Sequence, residues 1–139
     1  MFVLDTCLLS EIWKPAPDAG VLDWLGSSVE ADLFVSVLTL AELKKGISQL
    51  ASGKKKAALL RDYTLLRSRF SSRVLEVSAA VAERWGDLAS TAVRTGRHLR
   101  VVDGLIAATA LEAGCVLVTR NVADFESTTV PTLNPWSSR

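Results

Sequence analysis

The chain has 139 residues, 49% apolar and 22% charged, with a formal net charge of +1. That length supports one domain spanning residues 1–139, with a sizeable core and little room for a second. No stretch approaches the roughly 18 uninterrupted apolar residues of a membrane helix, and residues 1–9 carry Asp5 with no basic residue before it, the reverse of a secretory leader, so a cytoplasmic globular protein away from membranes is expected.

Phe2, Val3 and Leu4 form a short apolar run that ends at Asp5 and reads as a buried strand. Residues 8–13 read as a helix stopped by Pro15 and Pro17. Residues 21–27 read as another, with Val21, Leu22 and Leu25 on one face. Residues 33–37 predict strand two. Thr39 and Glu42 then fit a capping box opening a helix with Leu40, Leu43, Ile47 and Leu50 as its apolar stripe. Gly53 breaks it, and a long helix is expected over residues 54–70. Residues 74–77 predict strand three, and residues 79–95 a helix ended by Gly96. The alanine-rich run 103–113 predicts a helix closed by Gly114. Residues 116–119 are apolar and β-branched, as a central parallel strand should be. Residues 130–133 suggest a short edge strand. Strands alternating with helices predict an α/β fold, a mostly parallel sheet covered on both faces.

The small net charge hides an asymmetry. Between Lys44 and Arg73 stand nine basic residues and one acid, Asp62, leaving seven basic residues against fourteen acids elsewhere. One basic face on a near-neutral protein suits phosphates, although charge runs are more often solvated surface. Cys7 and Cys115 lie far apart in apolar runs and read as small buried hydrophobes. With no C-x-x-C and His98 the only histidine, neither a disulfide framework nor a zinc site is indicated. Trp13, Trp24 and Trp85 are expected to pack in the core.

Four acids fall near strand ends. Asp5 follows strand one, Glu42 lies early in the helix after strand two, Asp103 opens the helix before strand four, and Asp124 follows strand four. An open α/β sheet places its site at that edge. Taken singly, Asp5, Glu42 and Asp103 could each cap a helix or complement its dipole, and Asp124 could be a turn residue. Taken together they would repel unless a cation held them, and hard divalent ions prefer oxygen ligands. No Lys or Arg stands immediately beside Asp5, Glu42 or Asp103 in sequence. Such an ion can lower the pKa of bound water for in-line attack on phosphorus. A Ser-His-Asp arrangement would have to use His98, remote from Thr6, Ser10, Ser36 and Thr119, and is discounted.

Four motifs in order carry a resemblance: Val3-Leu4-Asp5-Thr6; Leu40-Ala41-Glu42-Leu43 with Gly46; the run from Val102-Asp103 to Thr109-Ala110; and Val118-Thr119-Arg120-Asn121 with Asp124-Phe125. Together they resemble the PIN-domain ribonucleases, specifically the VapC-type toxins of bacterial type II toxin–antitoxin pairs. Asn134-Pro135-Trp136 resembles the FitB-like branch. The resemblance covers essentially the whole chain. It implies a PIN-like three-layer fold whose four- to five-stranded, mostly parallel sheet lies between helices. It implies Mg²⁺ or Mn²⁺ held by Asp5, Asp103 and Glu42, with Thr6 and Thr119 supporting, and endonucleolytic cleavage of RNA, often tRNA or rRNA. It implies inhibition by a small VapB-type antitoxin, homodimers, and promoter DNA bound only through the antitoxin. Some relatives carry an acid at the Asn121 position, so Asn121 and Asp124 share the claim to be fourth in the catalytic set. Lys44, Lys45 and Arg120 are the candidates for holding substrate.

Rival readings fit less well. A phosphoacceptor receiver domain would need a second acid beside Asp5 and a Lys near the C-terminal end, and residues 130–139 contain none. A haloacid-dehalogenase-type phosphatase would want an Asp where Cys7 stands. The stronger rival is a catalytically idle nucleic-acid or partner-binding module on the same fold, which would usually have lost these acids.

Overall fold

The computed structural model describes residues 1–137. In chain order it comprises β1 (Phe2–Leu4), α1 (Thr6–Ile12), α2 (Ala19–Ser27), a 3-10 turn at Glu30–Asp32, β2 (Leu33–Ser36), α3 (Val37–Ser48) and α4 (Lys54–Arg69). There follow β3 (Val74–Leu75), α5 (Ala79–Arg94), α6 (Val101–Ala113), β4 (Val116–Val118), a 3-10 stretch at Val122–Thr128, and β5 (Thr132–Leu133). The strands form one sheet in the order β3-β2-β1-β4-β5, and every pairing is parallel. This is the expected PIN-like α/β architecture.

The central strand explains the two-sided core. Successive strand residues face opposite sides of a sheet. Val3 therefore joins Ile106, Ala107, Leu117 and Phe125 on one side, while Leu4 joins Leu8, Leu9, Val21 and Val35 on the other. Trp24 packs edge-on to Phe2 with ring centroids 5.3 Å apart, so this tryptophan belongs to the core margin. Strand order also fixes where a site can form. The chain steps from β1 out to β3, then returns to place β4 on the other flank of β1. The loops leaving β1 and β4 thus diverge and open a crevice at the carboxyl edge.

Several boundaries differ from the sequence expectations, and caps account for most of them. Helix α1 begins at Thr6 rather than residue 8, because Asp5 is extended and accepts from its first amide. Helix α3 begins at Val37: Ser36 is its cap, accepting from Leu38 N at 3.0 Å. The Thr39–Glu42 capping box does not form. Thr39 is a fully buried helical residue whose hydroxyl has no partner among the described residues, and Glu42 is turned to another element. Helix α6 begins at Val101, so Asp103 is its third residue rather than its opening one. Strand β3 stops at Leu75, leaving Glu76 and Val77 outside the sheet.

Candidate metal and active site

Asp5 sits at the end of β1, where the strand hands over to α1. Its Oδ1 accepts from Thr6 N at 2.8 Å and its Oδ2 from the Thr119 hydroxyl at 2.8 Å. Thr119 follows β4 directly and is fully buried, so the two central strands hold this carboxylate between them. Glu42 comes from α3. Its Oε1 accepts from the Thr6 hydroxyl at 2.6 Å, which ties the first turn of α1 to the second turn of α3. Asp103 arrives from the first turn of α6, with Arg100 Nη1 3.9 Å from its Oδ2. Asp124 and Asn121 come from the segment after β4. The Asn121 amide donates to Thr119 Oγ1 at 3.0 Å, and the Asp124 amide to Asn121 O at 3.0 Å.

These side chains line one cavity of about 250 Å³, walled by Asp5, Glu42, Asp103, Asn121, Asp124 and Arg100. Burial pushes the Asp5 carboxyl above its ordinary range, and the nearby charge of Glu42 adds to this against the lowering effect of the Thr119 and Thr6 hydrogen bonds. Asp103 is likewise raised, first by burial; Arg100 works against this, and the charges of Asp5, Asp124 and Glu42 add to it. The carboxylates therefore feel one another. Yet no three His, Cys, Asp or Glu side chains among the described residues stand close enough to grip a single ion as placed. The donor set itself fits a hard divalent ion: carboxylate oxygens, two of them anchored by threonine hydroxyls.

Cys7 and Arg100 stand out among the residues of this cavity that were not singled out from sequence as part of it. Cys7, expected as a core hydrophobe, instead lines the cavity, with Sγ donating to Asp5 Oδ2 at 3.6 Å and accepting from Arg120 N at 3.5 Å. Because α1 starts at Thr6, its neighbours Leu8 and Leu9 take the buried face and Cys7 turns to the crevice. Arg100 is the other, and its signal was readable: Arg94, Arg97 and Arg100 lie within seven residues without an acid.

Four of the nine basic residues between Lys44 and Arg73 are committed elsewhere. Arg69 and Arg73 both pair with Glu30, Lys56 donates to Ser48 O and Leu50 O at the end of α3, and Lys44 lies over the Tyr63 ring. Lys45 lines a cavity that shares Glu42 and Arg100 with the acidic one. Arg120 lies over the Trp136 ring and lines a separate polar cavity with Glu11 and Asp18.

The described architecture and this convergence of acids agree with a comparison of sequences: the PIN domain family matches residues 2–129. The chain belongs to the PIN-domain family. This PIN domain is 33% identical to VapC ribonuclease Y4jK of Sinorhizobium fredii over 98% of each chain. It is 35% identical to toxin FitB of Neisseria gonorrhoeae, covering 98% of this chain and 99% of that one. It therefore stands with the VapC and FitB toxins of the family. The solved structure of FitAB bound to an IR36 DNA fragment superposes with a TM-score of 0.93 at 33% identity, covering 100% of this chain and 98% of the other. A second structure, FitAcB from Neisseria gonorrhoeae, gives 0.93 at 34% identity, covering 99% of this chain and 100% of the other. No described helix is long and apolar enough to cross a membrane.

Proposed function

We propose that this PIN domain is a divalent-metal-dependent endoribonuclease, the toxin of a toxin–antitoxin pair. The observation that carries the reading is the convergence of Asp5, Glu42, Asp103 and Asp124, from four separate elements, on one cavity at the switch point of the sheet. Asp5 and Asp103 are the principal ligands and Glu42 the third. A Mg²⁺ or Mn²⁺ ion there would activate water for attack on phosphorus and offset charge gathering on the phosphate. The chain's own groups do the positioning. Thr119 and the Thr6 amide fix both oxygens of Asp5. Thr6 fixes one oxygen of Glu42, leaving the other to orient a water. Asn121, anchored through its amide to Thr119, and Asp124 share the fourth position.

RNA as substrate is supported by the similarity to a VapC ribonuclease. A small antitoxin partner is supported by the FitAB and FitAcB likenesses. Promoter DNA would then be met through that partner. The test is cleavage of RNA by the purified, partner-free protein. Cleavage should need Mg²⁺ or Mn²⁺, stop with chelator, and fall by at least about a hundredfold in Asp5→Ala, as removal of an electrostatic anchor at a reacting centre does. An Asp5→Ala protein cutting as fast as wild type would show that the acidic cavity is not the active site. RNA binding without cleavage would return the chain to the idle-module reading.

A further inference from the structure

Beside the acidic cavity lies a groove of about 380 Å³ between α3 and the start of α6. It shares Glu42 and Arg100 with the acidic cavity, so the two adjoin. Leu38, Ala41 and Val102 make its walls largely apolar, with Lys45, Gln49 and Arg100 as its polar groups. That volume suits a small ligand or one nucleotide.

Neither cation is held in a close ion pair among the described residues. Arg100 is the residue before α6, and its side chain makes no capping bond. Its 3.9 Å approach to Asp103 is long, and the side chain is 63% exposed; an exposed pair of that kind contributes little to stability. Arg97 makes a similarly long, exposed pair with Glu126, and Arg94, the last residue of α5, donates to Thr91, but neither lines the groove. Lys45 is exposed and makes no ion pair among the described residues. Its neighbour Lys44 faces Tyr63 on α4, and Arg120 faces Trp136 across a different cavity.

We propose that this groove seats the nucleotide adjoining the scissile phosphate of single-stranded RNA. Its phosphate lies between Lys45 and Arg100 and its base against the apolar wall. Such a subsite requires an unstacked base, so it selects loops and single strands over duplex. The inference rests on the reading of the acidic cavity as a site that cuts RNA. It also sets a direction: the strand leaves the acids along α3 and α6.

The test uses full-length Asp5→Asn protein without metal, so that RNA is bound and not cut, and a labelled single-stranded oligoribonucleotide of mixed sequence. Each phosphate contact on a single strand contributes about 0.7 to the slope of log affinity against log salt. Adding Lys45→Ala and Arg100→Ala should therefore lower the slope by about 1.4 and weaken binding about tenfold at low salt. Lys45→Ala alone, which touches no acid, should remove about half of the slope change. Arg67→Ala, the same charge loss far along α4, should leave the slope unchanged. In otherwise wild-type protein with Mn²⁺, Lys45→Ala should raise KM and leave kcat within about threefold, the pattern of lost uniform binding. Equal slopes in the double variant and its parent would overturn the groove assignment. Wild-type protein that leaves RNA intact with Mn²⁺ would instead overturn the nuclease reading, and the slope measurement would still decide the groove.

Discussion

Thr119 is the residue on which the geometry of Asp5 most depends. It is fully buried, donates to Asp5 Oδ2 and accepts from the Asn121 amide, so one hydroxyl links an acid of β1 to the segment carrying the fourth position. Thr119→Val keeps the volume and deletes the link. The buried carboxylate and the amide then lose a partner, at a cost of about 1–3 kcal/mol. Mn²⁺ affinity should fall about 10–100-fold, the usual effect of removing a group that orients a ligand. Calorimetry and thermal melting of the same variant check both; unchanged Mn²⁺ affinity would detach Thr119 from the site. Asp5 gives a pH prediction. Its carboxyl is raised, so the folded chain holds that proton more readily than the unfolded one. The ionised group therefore opposes folding at neutral pH, and the opposition fades as pH falls through the raised range. Metal-free Asp5→Asn should melt a few degrees above metal-free wild type at pH 7, and the gap should narrow on acidification. A variant melting below wild type at pH 7 would contradict this. Asp5, Asp103 and Asp124 were legible in sequence beside strand or helix ends, whereas Glu42 was placed there by a capping box that does not form. Cys7 was not legible, since its direction depends on where α1 starts, and Arg100 was legible only as one of three clustered arginines. Two residues of displacement in α1 and α6 decide which side chains face the crevice.

Among the elements, α2 and the tail after β5 are joined by contacts that local sequence does not announce. Asp18 caps α2, accepting from Val21 N, and the same Oδ1 accepts from Ser137 N and Oγ. Gly20 donates through its amide to Ser137 Oγ. A Cβ at Gly20 would lie 2.5 Å from Pro135 O and 2.8 Å from Ser137 N, both backbone atoms that no rotamer change can move. Gly20→Ala should therefore cost about 1–3 kcal/mol, the range for overpacking. Near a helix end the gain in helix propensity, at most about 1 kcal/mol, does not offset it. Thermal melting should show a drop of several degrees; a rise would mean the tail does not dock as described. The type of each strand and α-helix was legible, because hydrophobic period and Gly or Pro punctuation act locally, whereas the two 3-10 stretches were not. Boundaries were less so. The Thr39–Glu42 pattern satisfies a capping rule, but Ser36 lies three residues earlier in extended conformation and starts the helix first. Glu42 is thereby released to meet Thr6 from α1, a contact spanning thirty-six positions of sequence.

At the scale of the whole molecule, the sheet order decides the chemistry. Only an order that puts β1 between β2 and β4 brings the loops after β1 and β4, the second turn of α3 and the first turn of α6 to one crevice. Alternation of strands and helices predicted a parallel sheet, whereas the position of its switch point follows from packing that the linear pattern does not contain. The charge asymmetry is resolved at this scale too. Arg69, Arg73 and Lys56 hold the α4 region together, so less of the basic segment is left for phosphates than its count suggests. What the crevice concentrates is negative charge, and a divalent ion is the counter-charge proposed for it. Calorimetric titration of Mn²⁺ into the partner-free protein at neutral pH measures that assignment directly. Saturable binding in wild type, lost or weakened by at least about tenfold in both Asp5→Asn and Asp103→Asn, is the predicted result. Mn²⁺ binding that survives both substitutions unchanged would contradict it.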